Sequence, residues 1–466
     1  MSENINTTDT RSNGICQAII VFLTLCYFLT NCHIDSASAL FASAFQIPLH
    51  NTGIYFTKLY SLRCLLMATG TLFEYITYTL VDTFSKSPNN RIYINLVNLC
   101  FQLVTRVVFA WLTHCSSQLA YHAYIVLAIE GYICGSLTSL AAIVPGYSVV
   151  VTLGYNLCRV FISFVQFILD LLWYGRPLVM IKIQCWLSVV LTALAVGSWA
   201  YFINSFCNTP NAHRKKGDIV QNPSSPGSES PTNVQVATFC ETFMKCLSPF
   251  LMFPAGSIFK DFLFPGVLPY ALLQRDRCHI INKVVTLLYG IGSVTLFVLE
   301  KAGVFDKWNS FYDGFWFTTM PVTVITIYTF MAIHTRIPSA MRIRNSKPIV
   351  MIMTLILIVY YSFLYALSYA GVPKVVHTSF NGTNKIGNKS VITCNVICTM
   401  LYRFFFSKIA VGYNHTRVNL GYHLPKFRPI HRMSKSNVAW YFIRNTFRRA
   451  GNDTIEDFRM NIKDYL

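Results

Sequence analysis

Apolar runs long enough to cross a bilayer recur along nearly the whole of this 466-residue chain, with short polar breaks between them. A helix needs about 20 apolar residues to span the hydrocarbon core. It also satisfies its own backbone groups where no water can reach them. A membrane barrel would instead alternate polar and apolar residues over strands of about ten, and these runs do not alternate. Composition agrees. Of the residues, 53% are hydrophobic and 12% charged, against about 25% charged in an ordinary soluble domain. The expectation is an all-α, polytopic membrane helical bundle.

Six runs come first, at Ile15 to about Thr30 and near 60–81, 94–114, 119–143, 147–172 and 179–205. A polar insert follows at about 208–236, with Arg214, Lys215 and Lys216 and then Pro223, Pro226, Gly227 and Pro231 among serines. Such a composition cannot bury a core and reads as a flexible linker. Five more runs follow, near 245–273, 281–300, 313–334, 348–371 and 391–411. The organisation predicted is a polar segment 1–14, a six-helix bundle 15–206, a linker 207–240, a five-helix bundle 241–412 and a basic tail 413–466. Ala37-Ser38-Ala39 has the small residues of a signal-peptidase site, but the first run is read as an uncleaved span.

The net charge of +19 would suggest nucleic acid in a soluble protein. Here it fits loops that face the cytoplasm and its anionic lipids, and no nucleic-acid-binding signature accompanies it. The insert and the break holding Lys86 and Arg91 predict a cytoplasmic N-terminus. Eleven crossings then leave the basic tail on the opposite side, against the same rule. The 15 cysteines are scattered, with no Cys-x-x-Cys pair, so they read as small packing residues rather than metal or redox sites. Phosphate-loop, His-Glu-x-x-His and Gly-x-Ser-x-Gly patterns are missing from the sequence, which argues against an enzyme. Gly290-x-Gly292 lies inside an apolar run and reads as packing. His33 and Asp35, just after the first run, do not by themselves make a site.

Ionisable groups inside membrane helices are costly and usually face a cavity or a partner. The candidates for a substrate cavity or gate are Glu74, Arg106, Glu130 and Arg159, with Asp170 nearer a span end. Arg63 and Lys182 are expected to snorkel to the interface. Gly131 and Gly135 begin a small-residue face suited to close helix packing. Pro145, Gly146 and Tyr147 mark a turn, Gly154 follows in the next run, and Phe264, Pro265 and Gly266 form a second break. Broken helices in carriers offer backbone groups to a solute.

Six helices, a long polar loop and five helices resemble the equilibrative nucleoside transporter architecture. The local match is Gly131, Gly135 and Ser136, then Pro145-Gly146-Tyr147, then Gly154, with Phe264-Pro265-Gly266 similar to that family's Phe-Pro element in its seventh span. The resemblance implies a major-facilitator-like fold of about eleven transmembrane helices in a 6+5 arrangement. The family's Asn, Asp and Gly-Arg pair of the eighth span are replaced here by Tyr289 to Ser293, and its Pro-Trp-Asn step in the first span is absent. The combination is also similar to the multi-copy Tpr-related membrane proteins of piroplasms.

These readings predict a facilitative carrier in a plasma or internal membrane, moving a small polar solute, a nucleoside or nucleobase being one class, by alternating access. The alternative is a non-transporting polytopic surface or scaffold protein. Expected partners are a small-molecule solute and the lipid bilayer, with no nucleic acid, cofactor or metal. Glu130→Ala is expected to reduce transport without changing the surface amount.

Overall fold

The computed structural model describes residues 3–84, 90–138, 148–173, 175–203, 235–377, 385–423, 429 and 431–459. The elements of the first half are Glu3–Tyr27 (α1), Leu29–Ser36 (α2), Ser38–Ala44 (α3), Leu49–Phe84 (α4), Asn90–Cys115 (α5), Leu119–Thr138 (α6), Ser148–Leu172 (α7) and Pro177–Phe202 (α8). The second half has Phe239–Lys245 (α9), Leu247–Leu263 (α10), Arg275–Leu288 (α11), Ile291–Lys301 (α12), Thr319–His334 (α13), Pro338–Met341 (α14), Lys347–His377 (α15), Ser390–Asn419 (α16) and Lys435–Phe458 (α17). A two-residue parallel pairing, Gln235–Val236 with Lys385–Ile386, joins the starts of the segments leading into α9 and α16.

Eight helical stretches are long and apolar enough to cross a membrane, and ten if two bent pairs each count as one span. The bent pairs are α1 with α2, at 53°, and α9 with α10, at 63°. The 20-residue α6 packs along α4 inside the same bundle. At 1.5 Å per residue it is about 30 Å long, one hydrocarbon thickness. All eleven apolar runs therefore correspond to helices, and the chain is an integral, multi-pass, all-α membrane protein.

A spanning helix that meets lipid turns an apolar face outward and its polar residues inward, and α5 shows the pattern. In α5 the outward residues are Val97, Phe101, Val104, Val108 and Trp111, spaced by four and three, while Asn95, Gln102 and Arg106 are buried. That spacing is one face of a helix.

Glycines set the closest crossing. A Cβ on Gly135 would meet the backbone of Met67, one on Gly131 the backbone of Arg63, and one on Gly70 the carbonyl of Tyr132. The Thr71 hydroxyl donates to the Gly135 carbonyl at 2.8 Å. Backbones of α4 and α6 come this close because at each point one of the two residues is a glycine with no side chain. Gly154 similarly lets α7 lie on α1 at Val21 and Thr24, and Gly292 lies on the Ser362 backbone of α15. Ala37, Ser38 and Ala39 are buried inside the bundle.

The tail contains an element that composition did not suggest. Helix α17 buries Phe442, Thr446, Ala450, Asp453 and Asp457 on one face against α16, and Gly412 admits the Thr446 backbone. Asp453 bonds Lys58 at 2.6 Å and also pairs with Lys408. Asp457 lies 3.1 Å from Lys58, pairs with Lys408 and accepts from the Tyr124 hydroxyl at 2.9 Å. Burial alone would raise the Asp453 carboxyl, but Lys408 and Lys58 outweigh it and hold the group below the ordinary carboxylate value.

Candidate functional site

The four ionisable candidates occupy two different environments. Arg106 of α5 and Glu130 of α6 form a buried pair, with Nε to Oε1 at 2.9 Å. The remaining donors of Arg106 reach the carbonyls of Cys26 (2.6 Å) and Tyr27 (2.8 Å), the Thr192 hydroxyl (2.5 Å) and the second Glu130 oxygen (3.5 Å). Thr30 donates to Glu130 at 2.9 Å. The two carbonyls belong to the end of α1, where the first span breaks and loses its own acceptor partners. The five donors of this guanidinium are therefore all engaged, and they tie α5 and α6 to α1 and α8. Glu74 is buried on α4, one turn beyond Gly70.

Arg159 of α7 lies elsewhere, in a cluster between the first six and last five spanning elements. Its guanidinium donates to the Tyr155 hydroxyl at 2.7 Å, stands 4.2 Å from the Tyr289 ring centre, and is 3.6 Å from Asp35. Arg63 of α4 is 3.5 Å from the same Asp35 oxygen. From the second half, Lys260 and Asp261 of α10 pair at 2.8 Å, and Tyr60 and Ser257 donate to Asp261. Arg403 of α16 donates to the Tyr361 hydroxyl at 2.6 Å. The side chains of Arg63, Arg159, Lys260 and Asp261 are no more than 5% exposed, while that of Asp35 is 26% exposed, so most of the cluster is buried and it reaches solvent at Asp35.

The walls are aromatic. Tyr361, Tyr365 and Tyr369 recur every fourth residue on one face of α15, with Tyr365 to Tyr369 ring centres 4.6 Å apart. Tyr155 of the first half meets Tyr365 at 5.9 Å, and Tyr289 meets Tyr361 at 6.0 Å. Lys260 lies 4.3 Å from the Tyr60 ring centre. Such cation–ring contacts hold a charge where few carboxylates do.

At the end of the bundle that carries α17, polar contacts join the halves. Asp170 of α7 pairs with Lys283 and lies 3.1 Å from His279 Nε2, both on α11. Ser38 meets Tyr270 at 2.9 Å, and Asn282 donates to both.

Two sequence expectations change. Arg63 does not snorkel. Helix α4 begins at Leu49, so Arg63 lies 14 residues in, about 21 Å along the axis, too deep for its side chain to reach the interface. Asp35, set aside with His33, belongs to the cluster because the break after Tyr27 turns α2 back into the bundle. His33 is buried beside Phe41, 4.8 Å between ring centres. Lys260, Asp261 and Arg403 were legible as charges inside apolar runs of the second half. Gly266 follows α10 and approaches Thr57 and Asn414, and Phe264 lies 6.0 Å from Lys260. The Phe264–Pro265 and Leu268–Pro269 bonds are cis. Pro145, Gly146, Tyr147 and most of the polar linker lie outside the described residues. Among the described residues no group of three or more His, Cys, Asp or Glu side chains is placed to hold a metal ion.

No family model and no curated protein matches the chain. Its likenesses to solved structures are distant. A bacterial homologue of the human lysosomal transporter Spinster, inward-facing and unoccupied, shares 14% identity, with 94% of this chain and 93% of that chain covered and a TM-score of 0.43. A proton-dependent oligopeptide transporter shares 9%, with 96% and 97% covered and a TM-score of 0.45. The nucleoside transporter NupG shares 9%, with 94% and 99% covered and a TM-score of 0.42. Values this low assign neither family nor activity, and the reading rests on the side chains of the cluster.

Proposed function

We propose that this protein is a membrane carrier that moves a small polar solute by alternating access. The observation that carries the reading is the buried cluster of Arg63, Arg159, Lys260, Asp261 and Arg403 with its tyrosines, contributed by both halves of the bundle. Buried charge between two helix bundles is expensive, and a solute path is the usual reason to keep it. Arg159 lines that path. The Arg106–Glu130 pair, with its donors engaged, holds the first bundle together. Asp170, Lys283 and His279 are the gate at one end.

The test is uptake of labelled solutes into proteoliposomes holding the full chain. The panel pairs adenosine, hypoxanthine and uridine with succinate and adenosine monophosphate. Saturable flux of any one is expected. Asp170→Asn should change its rate about tenfold, since 1.4 kcal/mol of gate energy is a factor of ten in population. No flux from folded, inserted protein would replace the carrier with a non-transporting membrane protein.

The gate end is proposed to face the cytoplasm. Among the described residues Arg176, Arg277, Arg336, Arg342, Arg344 and Lys347 flank spans at that end, with Arg444, Arg448 and Arg449 on α17. Lys245, Lys301, Lys307, Lys374 and Lys389 flank the other. Short-loop Lys and Arg favour the cytoplasm; this orientation puts the basic tail inside and leaves the N-terminus, Lys86, Arg91 and the basic insert outside, against the sequence expectation for those segments. In a background with Cys16, Cys100, Cys115, Cys207 and Cys240 changed to Ser, an impermeant maleimide should label Lys307→Cys on intact cells and Ser339→Cys only after permeabilisation. The reverse pattern would overturn the orientation.

A further inference from the structure

We propose that the charged cluster between the two halves takes a small organic anion, bearing a carboxylate or phosphate, whose charge is met by Arg159, Lys260 and Arg403. The inference rests on reading the cluster as a solute site and adds the substrate class.

The described cluster holds four basic side chains, Arg63, Arg159, Lys260 and Arg403, and two carboxylates, Asp35 and Asp261. Three of the four are guanidiniums, which keep their proton in proteins. Whatever Lys260 does, at least one positive charge remains unmatched among side chains that are mostly buried, and an uncompensated buried charge is costly.

The unspent donors lie on Arg159 and Arg403. Asp261 already accepts from Lys260, Tyr60 and Ser257. Asp35 is shared at long range between Arg63 and Arg159. Arg403 has no carboxylate partner among the described residues. Its Nε and that of Arg159 are buried without an acceptor, and each guanidinium is instead held against tyrosine rings. One donor of each goes to a tyrosine hydroxyl, and the ring contacts hold the side chains while their Nε donors stay unspent.

Elsewhere in the bundle buried cations are met by oxygen. Arg106 has Glu130 and two carbonyls, Lys58 and Lys408 have Asp453 and Asp457, and Arg417 has the Tyr422 carbonyl and Asn414. Arg417, also without a carboxylate among the described residues, is a single cation with its donors on neutral oxygens, whereas several cations with too few carboxylates collect where the two halves meet. A carboxylate or phosphate accepts several N–H bonds at once and suits guanidinium donors, while the tyrosines offer faces to an organic body. A neutral solute would leave the charge unmatched.

The experiment is calorimetric titration of the full chain in nanodiscs with matched pairs, succinate against succinamide and adenosine monophosphate against adenosine, at constant ionic strength in chloride. The anionic member of at least one pair is expected to bind at least tenfold more tightly. Arg403→Gln should remove that preference and Arg403→Lys should keep part of it. Lys260→Met serves as the second variant if Arg403→Gln fails to fold. Equal binding of neutral and anionic members, no binding of any, or a preference unchanged in both charge-removing variants overturns the proposal. Flux into proteoliposomes separates the two readings. Transport of a neutral solute without anion binding keeps the carrier and rejects the anion. Anion binding that Arg403→Gln abolishes, without flux, keeps the anion and rejects the carrier.

Discussion

Glu130→Gln is expected to cost the protein its stability rather than its transport alone. The carboxylate is the charge partner of Arg106 and the acceptor of Thr30, at a position with no measurable exposure. Removing one partner of a buried pair leaves the other charge uncompensated, at about 3–5 kcal/mol. That is a large share of the 5–15 kcal/mol typical of a folded protein. Arg106→Met should be worse than Glu130→Gln, because it also takes the donor from the Cys26 carbonyl where the first span breaks. A double-mutant cycle should show strong non-additivity. The readout is the melting of detergent-solubilised protein with its amount at the membrane. From the apolar runs alone, Glu130 looked like a cavity residue whose loss would leave the surface amount intact. If Glu130→Gln melts with the wild type and only flux falls, that earlier expectation is right and the structural assignment is wrong.

The second large effect is expected at Asp453. Asp453→Asn leaves Lys58 and Lys408, both buried, facing Asp457 and the half-buried Glu456. A loss of about 3–5 kcal/mol follows from the same reasoning, and it should appear as release of α17 from α16 and α4. Limited proteolysis of the tail measures it directly. Glu456→Gln, at 3.8 Å from Lys58 and partly exposed, should leave protection nearly unchanged. The pH dependence has a definite sign. The Asp453 carboxyl is held below its ordinary value by Lys408 and Lys58. Its contribution is thus complete above the unfolded value, about 3.9, and is lost only as pH falls through the lower folded one. The tail should stay docked at pH 5. A tail already cleaved there in the wild type, or an Asp453→Asn tail as protected as the wild type, would sink this account.

Much of the architecture was written in the order of residues. Each apolar run became a helix because backbone groups in lipid have no other partner, and that requirement does not depend on what packs where. The spacing of Val97, Phe101, Val104, Val108 and Trp111 already defined a lipid face. The small residues Gly131 and Gly135 already permitted a close crossing. The tail helix was partly legible too, since Phe442, Thr446, Ala450, Asp453 and Asp457 follow helical spacing, but a basic composition concealed it. Which charges meet could not be read the same way. Arg106, Glu130 and Arg159 look alike in sequence, each a charge within an apolar run. The fold spends the donors of Arg106 on Glu130, Thr192 and two carbonyls of a broken helix and leaves the Nε of Arg159 free beside Asp35, Tyr155 and Tyr289. Lipid acts on each segment by itself, so hydropathy and period determined the helices. The pairing of buried charges depends on distances of a few ångströms between segments far apart in the chain, so only the packed bundle decided which of them are fully paired and which keep donors unpaired.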